Sequence, residues 1–170
     1  MNSYKTSQKI MHWSMALMII VLLPMGYYMQ DLPGQLRSNA YGLHKSFGVL
    51  VIFLLVLRVH LRRKHGAPAL PKKFKIWESW LSHAVHYIIY ILMLIMPLSG
   101  WVMSNAKGYP VKLFGIKMPD IAPKNEALGE LASISHTVIA ILFIWVLLLH
   151  FAGVLKHLIF DKENIVKRIG

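Results

Sequence analysis

The chain has 170 residues, 56% of them hydrophobic, with a mean hydropathy of +0.50 and a formal net charge of +12. That length suits one domain, but one too apolar to be an ordinary soluble domain. Cysteine is absent, which excludes disulfides, iron–sulfur ligation and covalent haem attachment through C-x-x-C-H, so any cofactor must be held by histidine, methionine or carboxylate.

A membrane-spanning helix needs about 20 predominantly apolar residues, and four stretches supply them, roughly residues 10–29, 43–61, 81–103 and 134–155. The fold class expected is all-α, an integral membrane four-helix bundle forming one domain over residues 1–170. The first stretch follows Lys5 and Lys9, as a signal peptide would. Its apolar run is too long for one, and Gly26-Tyr27-Tyr28-Met29-Gln30 offers no small-x-small cleavage site, so it reads as an uncleaved helix. The loop over 30–42 contains the turn signal Pro33-Gly34. A basic link with Pro68 and Pro71 joins the second and third helices. The link over 104–133 is the longest, with Pro110, Pro119 and Pro123 and a weakly helical 125–131. A loop of that length is usually functional or mobile. Pro24 and Pro97 fall inside membrane helices, where neighbours can satisfy the freed carbonyls.

Charge sets the orientation. The amino terminus, the link between helices two and three, and the tail carry thirteen Lys and Arg: Lys5, Lys9, Arg58, Arg62, Arg63, Lys64, Lys72, Lys73, Lys75, Lys156, Lys162, Lys167 and Arg168. The other side carries Arg37, Lys45, Lys107, Lys112, Lys117 and Lys124. Excess positive charge marks the cytoplasmic side, so both termini are expected there. Because the charges lie between apolar helices, anionic lipid headgroups explain most of them and nucleic acid is not an expected partner.

Nine histidines are many for this length, and an ionisable group within a spanning helix is a functional candidate. His136 and His150 lie 14 residues apart on the fourth helix, which at about 100° and 1.5 Å per residue puts them on one face, about 21 Å apart. His44 opens the second helix at the depth of His136, and His12 opens the first at the depth of His150. The pairs His44 with His136 and His12 with His150 suit two stacked haems, since facing bundle helices supply ligands from both sides and bis-histidine iron favours electron transfer. A lone histidine at a helix end is ordinarily an interfacial, hydrogen-bonded residue; four that pair by depth are not explained that way. Gly48, one turn from His44, and Gly153, just beyond His150, leave room for a flat ligand, although glycine in membrane helices also serves helix packing.

Of the remaining histidines, His60 faces away from His44 and joins Arg58, Arg62 and Arg63 as interfacial residues; His65 sits in the basic link, and His157 lies on the face of His150 beyond the membrane. His83 and His86 open the third helix, and His86 is a rival ligand for the inner haem or a group lining a proton path or quinone pocket.

The ordered set of segments resembles the bacterial cytochrome b561 family over residues 7–162. They are His12-Trp13; His44-Lys45-Ser46-Phe47-Gly48; Ser82-His83-Ala84-Val85-His86-Tyr87; Met96-Pro97-Leu98-Ser99-Gly100; Ser135-His136; and His150. The resemblance implies a di-haem b cytochrome of the bacterial inner membrane, with His12, His44, His136 and His150 as iron ligands and ubiquinone as electron acceptor. It also implies a superoxide oxidase activity, an oxidoreductase reaction in which superoxide outside reduces quinone through the haems. Lys45, beside His44, and Lys107 in the long outer link would then steer the anion toward the outer haem. Ser14, His83, His86 and His157 would hold a quinone or supply its protons on the inner side. Two other readings stand beside this one: an electron-transfer subunit docking on a dehydrogenase or a periplasmic redox protein, and a small transporter whose histidines bind a metal ion or proton.

Overall fold

A computed structural model describes residues 3–71 and 73–170; Lys72, counted above on the inner side, lies outside them. Four long helices carry the fold: α1 (Thr6–Tyr28), α2 (Gly34–His65), α3 (Ile76–Ala106) and α4 (Glu126–Ile159). Each is long and apolar enough to cross a membrane. The expected stretches fall on them, the first running one residue past α1, and all four helices are longer than the apolar runs that announce them. Most of the loop expected over 30–42 is the start of α2, preceded only by a 3-10 turn at Met29–Asp31. The weakly helical 125–131 forms the opening turns of α4, because the Asn125 side chain accepts from the Leu128 backbone N–H at 2.9 Å and satisfies an otherwise free donor. Polar end turns leave the hydrocarbon and add nothing to an apolar window, so hydropathy cannot see them. Gly66 ends α2 at φ +69, a conformation open to glycine, after a basic last turn of Arg62, Arg63, Lys64 and His65.

The helices pack in chain order, α1 on α2, α2 on α3 and α3 on α4. Their shared core is an apolar plug at mid-depth made of Met15, Ile19, Val51, Leu55, Leu92, Met93 and Phe143. Outward, Leu17, Val21, Phe53, Val56, Ile88, Ile91, Leu142 and Trp145 are exposed, as lipid-facing side chains should be. The helix backbones satisfy their own hydrogen bonds, so such a bundle can sit in hydrocarbon.

The long outer link is ordered. A small antiparallel hairpin, β1 (Lys112–Leu113) with β2 (Ile116–Lys117), turns through Phe114 and Gly115, both at positive φ. That pair of positive angles matches strand twist in a two-residue turn. The hairpin is fastened to α2 by Ser46, whose hydroxyl lies 2.9 Å from the Lys112 and Gly42 carbonyls and accepts from Phe114 N–H at 3.1 Å. Phe47 meets Phe114 edge-on, 5.2 Å between ring centroids. Asn105 holds the rest: its Oδ1 accepts from Ile121 N–H at 2.9 Å and its Nδ2 donates to Asp120 at 3.1 Å.

The inner end is closed by the tail. A 3-10 turn at Ile165–Arg168 buries the Arg168 guanidinium, which donates to the Pro68 and Ala69 carbonyls at 2.8 and 2.7 Å. Trp13 of α1 donates its indole N–H to Ile169 at 2.9 Å.

Candidate functional site

The bundle repeats one spacing four times. His12 and Gly26 on α1, His44 and Arg58 on α2, His86 and Gly100 on α3, and His136 and His150 on α4 are each 14 residues apart. Fourteen residues bring a helix back to within roughly 40° of its starting face after about 21 Å. The eight residues therefore form two layers, an outer one of Gly26, His44, Gly100 and His136 and an inner one of His12, Arg58, His86 and His150. The plug residue Phe143 is seven residues from each histidine of α4, so the apolar core separates the layers.

In the outer layer the His44 and His136 rings face each other with centroids 6.5 Å apart and planes crossed at 78°. Two imidazole nitrogens about 2 Å from one metal on opposite sides, a bond length known for zinc, put ring centroids roughly 6 Å apart; the observed spacing fits. The Ser99 hydroxyl donates to the Met96 carbonyl at 2.7 Å and lies 3.0 Å from His136 Nδ1. With its proton committed, the serine oxygen accepts the Nδ1–H, which leaves Nε2 bare for a metal. His44 Nδ1 is a buried polar atom without a hydrogen-bond partner among the described residues. The glycines make room for both rings. A Cβ at Gly26 would stand 3.0 Å from His44 Cε1, and one at Gly100 only 2.8 Å from His136 Cε1. A bis-imidazole metal group fits this layer.

The inner layer is more crowded. His86 and His150 meet edge to face with centroids 5.2 Å apart, closer than a shared trans metal would hold them. The His86 Nδ1–H donates to the Ser82 carbonyl at 2.6 Å, so its Nε2 is the bare nitrogen. His12 joins the same layer, but its Nδ1 accepts from Arg58 Nη2 at 2.9 Å, which places the imidazole proton on Nε2. His12, His44, His136 and His150 are half-buried, whereas His86, His83 and Ser14 are exposed. His83 is fixed by donation to Ser79 at 2.6 Å.

Other predicted residues fall in different places. Gly48 faces Pro97, 3.9 Å from where its Cβ would stand, and Gly153 has open space beside it. Lys45 is half-buried with its ammonium 5.6 Å from the centre of the Tyr109 ring. Lys107 lies at the end of α3, its stem against Gly129 of α4. Lys117 pairs with Asp120 at 3.1 Å.

A second polar cluster lies below the inner layer. Lys156 bridges buried Glu78 and Asp161, the latter at 2.7 Å, and Asp161 accepts from His157 at 2.5 Å. Phe74 stacks on the His157 ring at 4.0 Å. The Lys156 ammonium, then the His157 imidazole, hold the Asp161 carboxyl below its ordinary range. His157, expected beyond the membrane on the face of His150, is buried in the last turn of α4.

Imidazoles gathered at two depths of a bundle whose four helices can each cross a membrane suit a transmembrane cytochrome of the b type. The profile of the prokaryotic cytochrome b561 family matches residues 3–170, and the chain belongs to that family. It is also 27% identical over 161 residues, 93% of this chain and 86% of the relative, to cytochrome b561 homolog 2 of Escherichia coli (strain K12). The protein is accordingly a multi-pass membrane haem b electron-transfer protein, of a family that usually binds two haems.

Proposed function

We propose that this cytochrome carries electrons inward across the bacterial inner membrane, from superoxide outside to ubiquinone near the cytoplasmic surface. His44 and His136 hold the outer haem, and His12 and His150 the inner one. The observation that supports this most is the outer pair, two facing imidazoles lying beside a lysine-bearing hairpin. When bound, haem supplies a one-electron couple with no open position on its iron, which suits relay rather than oxygen binding.

The residues of the chain do the rest. Ser99 holds the His136 tautomer, while Gly26 and Gly100 leave space for the imidazole rings. Lys45, Lys107 and the hairpin lysines keep positive charge at the outer surface, where a small anion is drawn in. Two superoxide ions give one electron each and leave as dioxygen. One quinone takes both electrons with two protons. His83, His86, Ser14 and His157 are the polar groups placed at the inner end to hold its carbonyls or pass those protons, and both termini lie on that cytoplasmic side.

The test is the purified protein alone. It should contain two non-covalent haems b per chain and be reduced rapidly by superoxide, with electrons passing on to ubiquinone. Replacing His83 and His86 together should slow quinone reduction and leave haem reduction unchanged. A red, two-haem protein indifferent to superoxide would instead be a subunit that docks on a larger redox partner, and a colourless one would return the histidines to transport.

A further inference from the structure

We propose that Arg58 is the anion anchor of the inner layer, a guanidinium that holds a propionate carboxylate of the haem bound there. The inference rests on the reading above in taking the inner ligand to be haem b, whose two propionates are anionic at neutral pH.

Arg58 sits within α2, half-buried, at the inner position of the same face that carries His44 at the outer one. A charge in a spanning segment turns either toward the headgroups or toward a partner in the bundle. Arg62, one turn further on, reaches the segment that precedes α1 and donates to the Tyr4 hydroxyl at 2.8 Å. Arg58 turns inward. Its Nη2 donates to His12 Nδ1 at 2.9 Å and its Nε to the Tyr90 hydroxyl at 3.3 Å, with the guanidinium 5.5 Å from that ring's centre.

Both partners are uncharged, and a guanidinium has five donors in a fork shaped for a carboxylate. No carboxylate of the described residues reaches it: their ion pairs join Lys73 to Glu163, Lys117 to Asp120, Lys156 to Glu78 and Asp161, and His157 to Asp161. The described residues thus place a permanent cation in a layer of imidazoles and provide no anion there.

The His12 contact adds a second argument. While Arg58 donates to Nδ1, the His12 proton must sit on Nε2, and that nitrogen cannot bind iron. Ligation through Nε2 moves the proton to Nδ1, where it faces the guanidinium, a donor with no lone pair to offer. Coordination by His12 and its present bond to Arg58 exclude each other. Arg58 must turn to another acceptor in the same layer, and the carboxylate of the incoming haem is the acceptor that arrives with the ligand. An anionic lipid headgroup offers related chemistry from the membrane side, and the experiment separates the two.

The full-length protein is stripped of haem in detergent and titrated with haem b or with its dimethyl ester, in which both carboxylates are masked. In the wild type, one of two binding steps should be weaker for the ester, on the order of tenfold for a charge-assisted pair. Arg58→Gln should bind the two haems equally at that step, both at the weaker level, with the other step unchanged. In redox titrations of the loaded protein, Arg58→Gln should lower the reduced-to-oxidised ratio of one haem about tenfold at fixed potential, which is 59 mV for a one-electron couple. Arg58→Lys, which keeps the charge and loses the fork, should keep that ratio within about threefold of wild type.

Equal binding of haem and ester by the wild type overturns the proposal, and does so even if Arg58→Gln fails to accumulate. Undiminished preference for haem over ester in Arg58→Gln overturns it too, by placing the carboxylate elsewhere. Sensitivity of the wild type to anionic lipid without any preference for haem over ester assigns Arg58 to the headgroups. Fewer than two haems in the wild type would mark failure of the two-haem reading itself, before any variant is made.

Discussion

The two layers are built on one spacing and filled with different chemistry. At the outer end, α2 and α4 contribute imidazoles while α1 and α3 contribute glycines, and the result is one pair of rings at a distance suited to a shared metal. At the inner end none of the four positions is glycine: three are histidines and the fourth is an arginine. Glycine makes the outer site unambiguous by removing alternatives. The inner site keeps three imidazoles and a permanent charge together in one layer.

The largest expected difference between the layers is loss of a single haem. His44→Ala or His136→Ala should reduce the pyridine haemochrome ratio from two per chain to one, leaving the inner spectrum intact. His150→Ala should do the reverse. The decisive inner variants are His12→Ala and His86→Ala: loss of the inner haem in the first alone confirms the α1–α4 pair, and loss in the second alone moves the ligand to α3.

Next come the glycines. Gly100→Val and Gly26→Val should each cost the outer haem most of its occupancy, because even a Cβ would press on a ligand ring. Gly153→Val, with open space beside it, should leave both haems in place. Equal effects at Gly100 and Gly153 would break the comparison.

Ser99→Ala should weaken outer haem binding about 10-fold, the lower end for loss of a group that orients a metal-binding histidine. Midpoint potentials and haem titration would read this, and the inner haem should not respond.

Smaller again is the effect of charge outside. Reduction by superoxide should slow as salt rises, since the Debye length falls from about 10 Å at 0.1 M to about 3 Å at 1 M. Lys45→Gln should lower the rate and flatten that dependence more than Lys107→Gln, whose stem lies against Gly129. A rate indifferent to salt and to both substitutions would leave the lysines to the lipid.

The smallest effect belongs to the lower polar cluster. Asp161 has a carboxyl pKa depressed in the fold, so its contribution to tail docking is present above its ordinary value and is lost as pH falls through the lower, folded one. Asp161→Asn should remove that acid dependence, read as hydrogen exchange of the backbone around Phe74 and His157, with both haem spectra unchanged.

Much of this architecture is legible in the sequence because hydropathy and the helical repeat act locally. The four spans and the common face of His136 and His150 follow from residue order alone. Gly26, Gly100 and Ser99 were harder to see: what they do depends on which ring arrives opposite, and that is set by packing. Arg58 is a special case. Read beside Arg62 and Arg63 it looks interfacial, yet its distance from His44 equals that between His136 and His150, so the signal was present in the spacing. The Glu78–Lys156–Asp161–His157 cluster joins residues up to 83 positions apart and has no sequence signature.

A common fourteen-residue interval also constrains how such a protein can diverge. Inserting one residue between the layers of any helix turns everything beyond it by about 100° and carries one functional position out of the bundle. A seven-residue insertion would restore the face to within roughly 20°, but would lengthen one helix by about 10 Å against three unchanged neighbours. The intervals 12–26, 44–58, 86–100 and 136–150 should therefore be held to one length. Length variation among homologues should collect in the hairpin link, the basic link and the tail, and an alignment gap inside any of the four intervals would mark a chain that has given up one of its two centres.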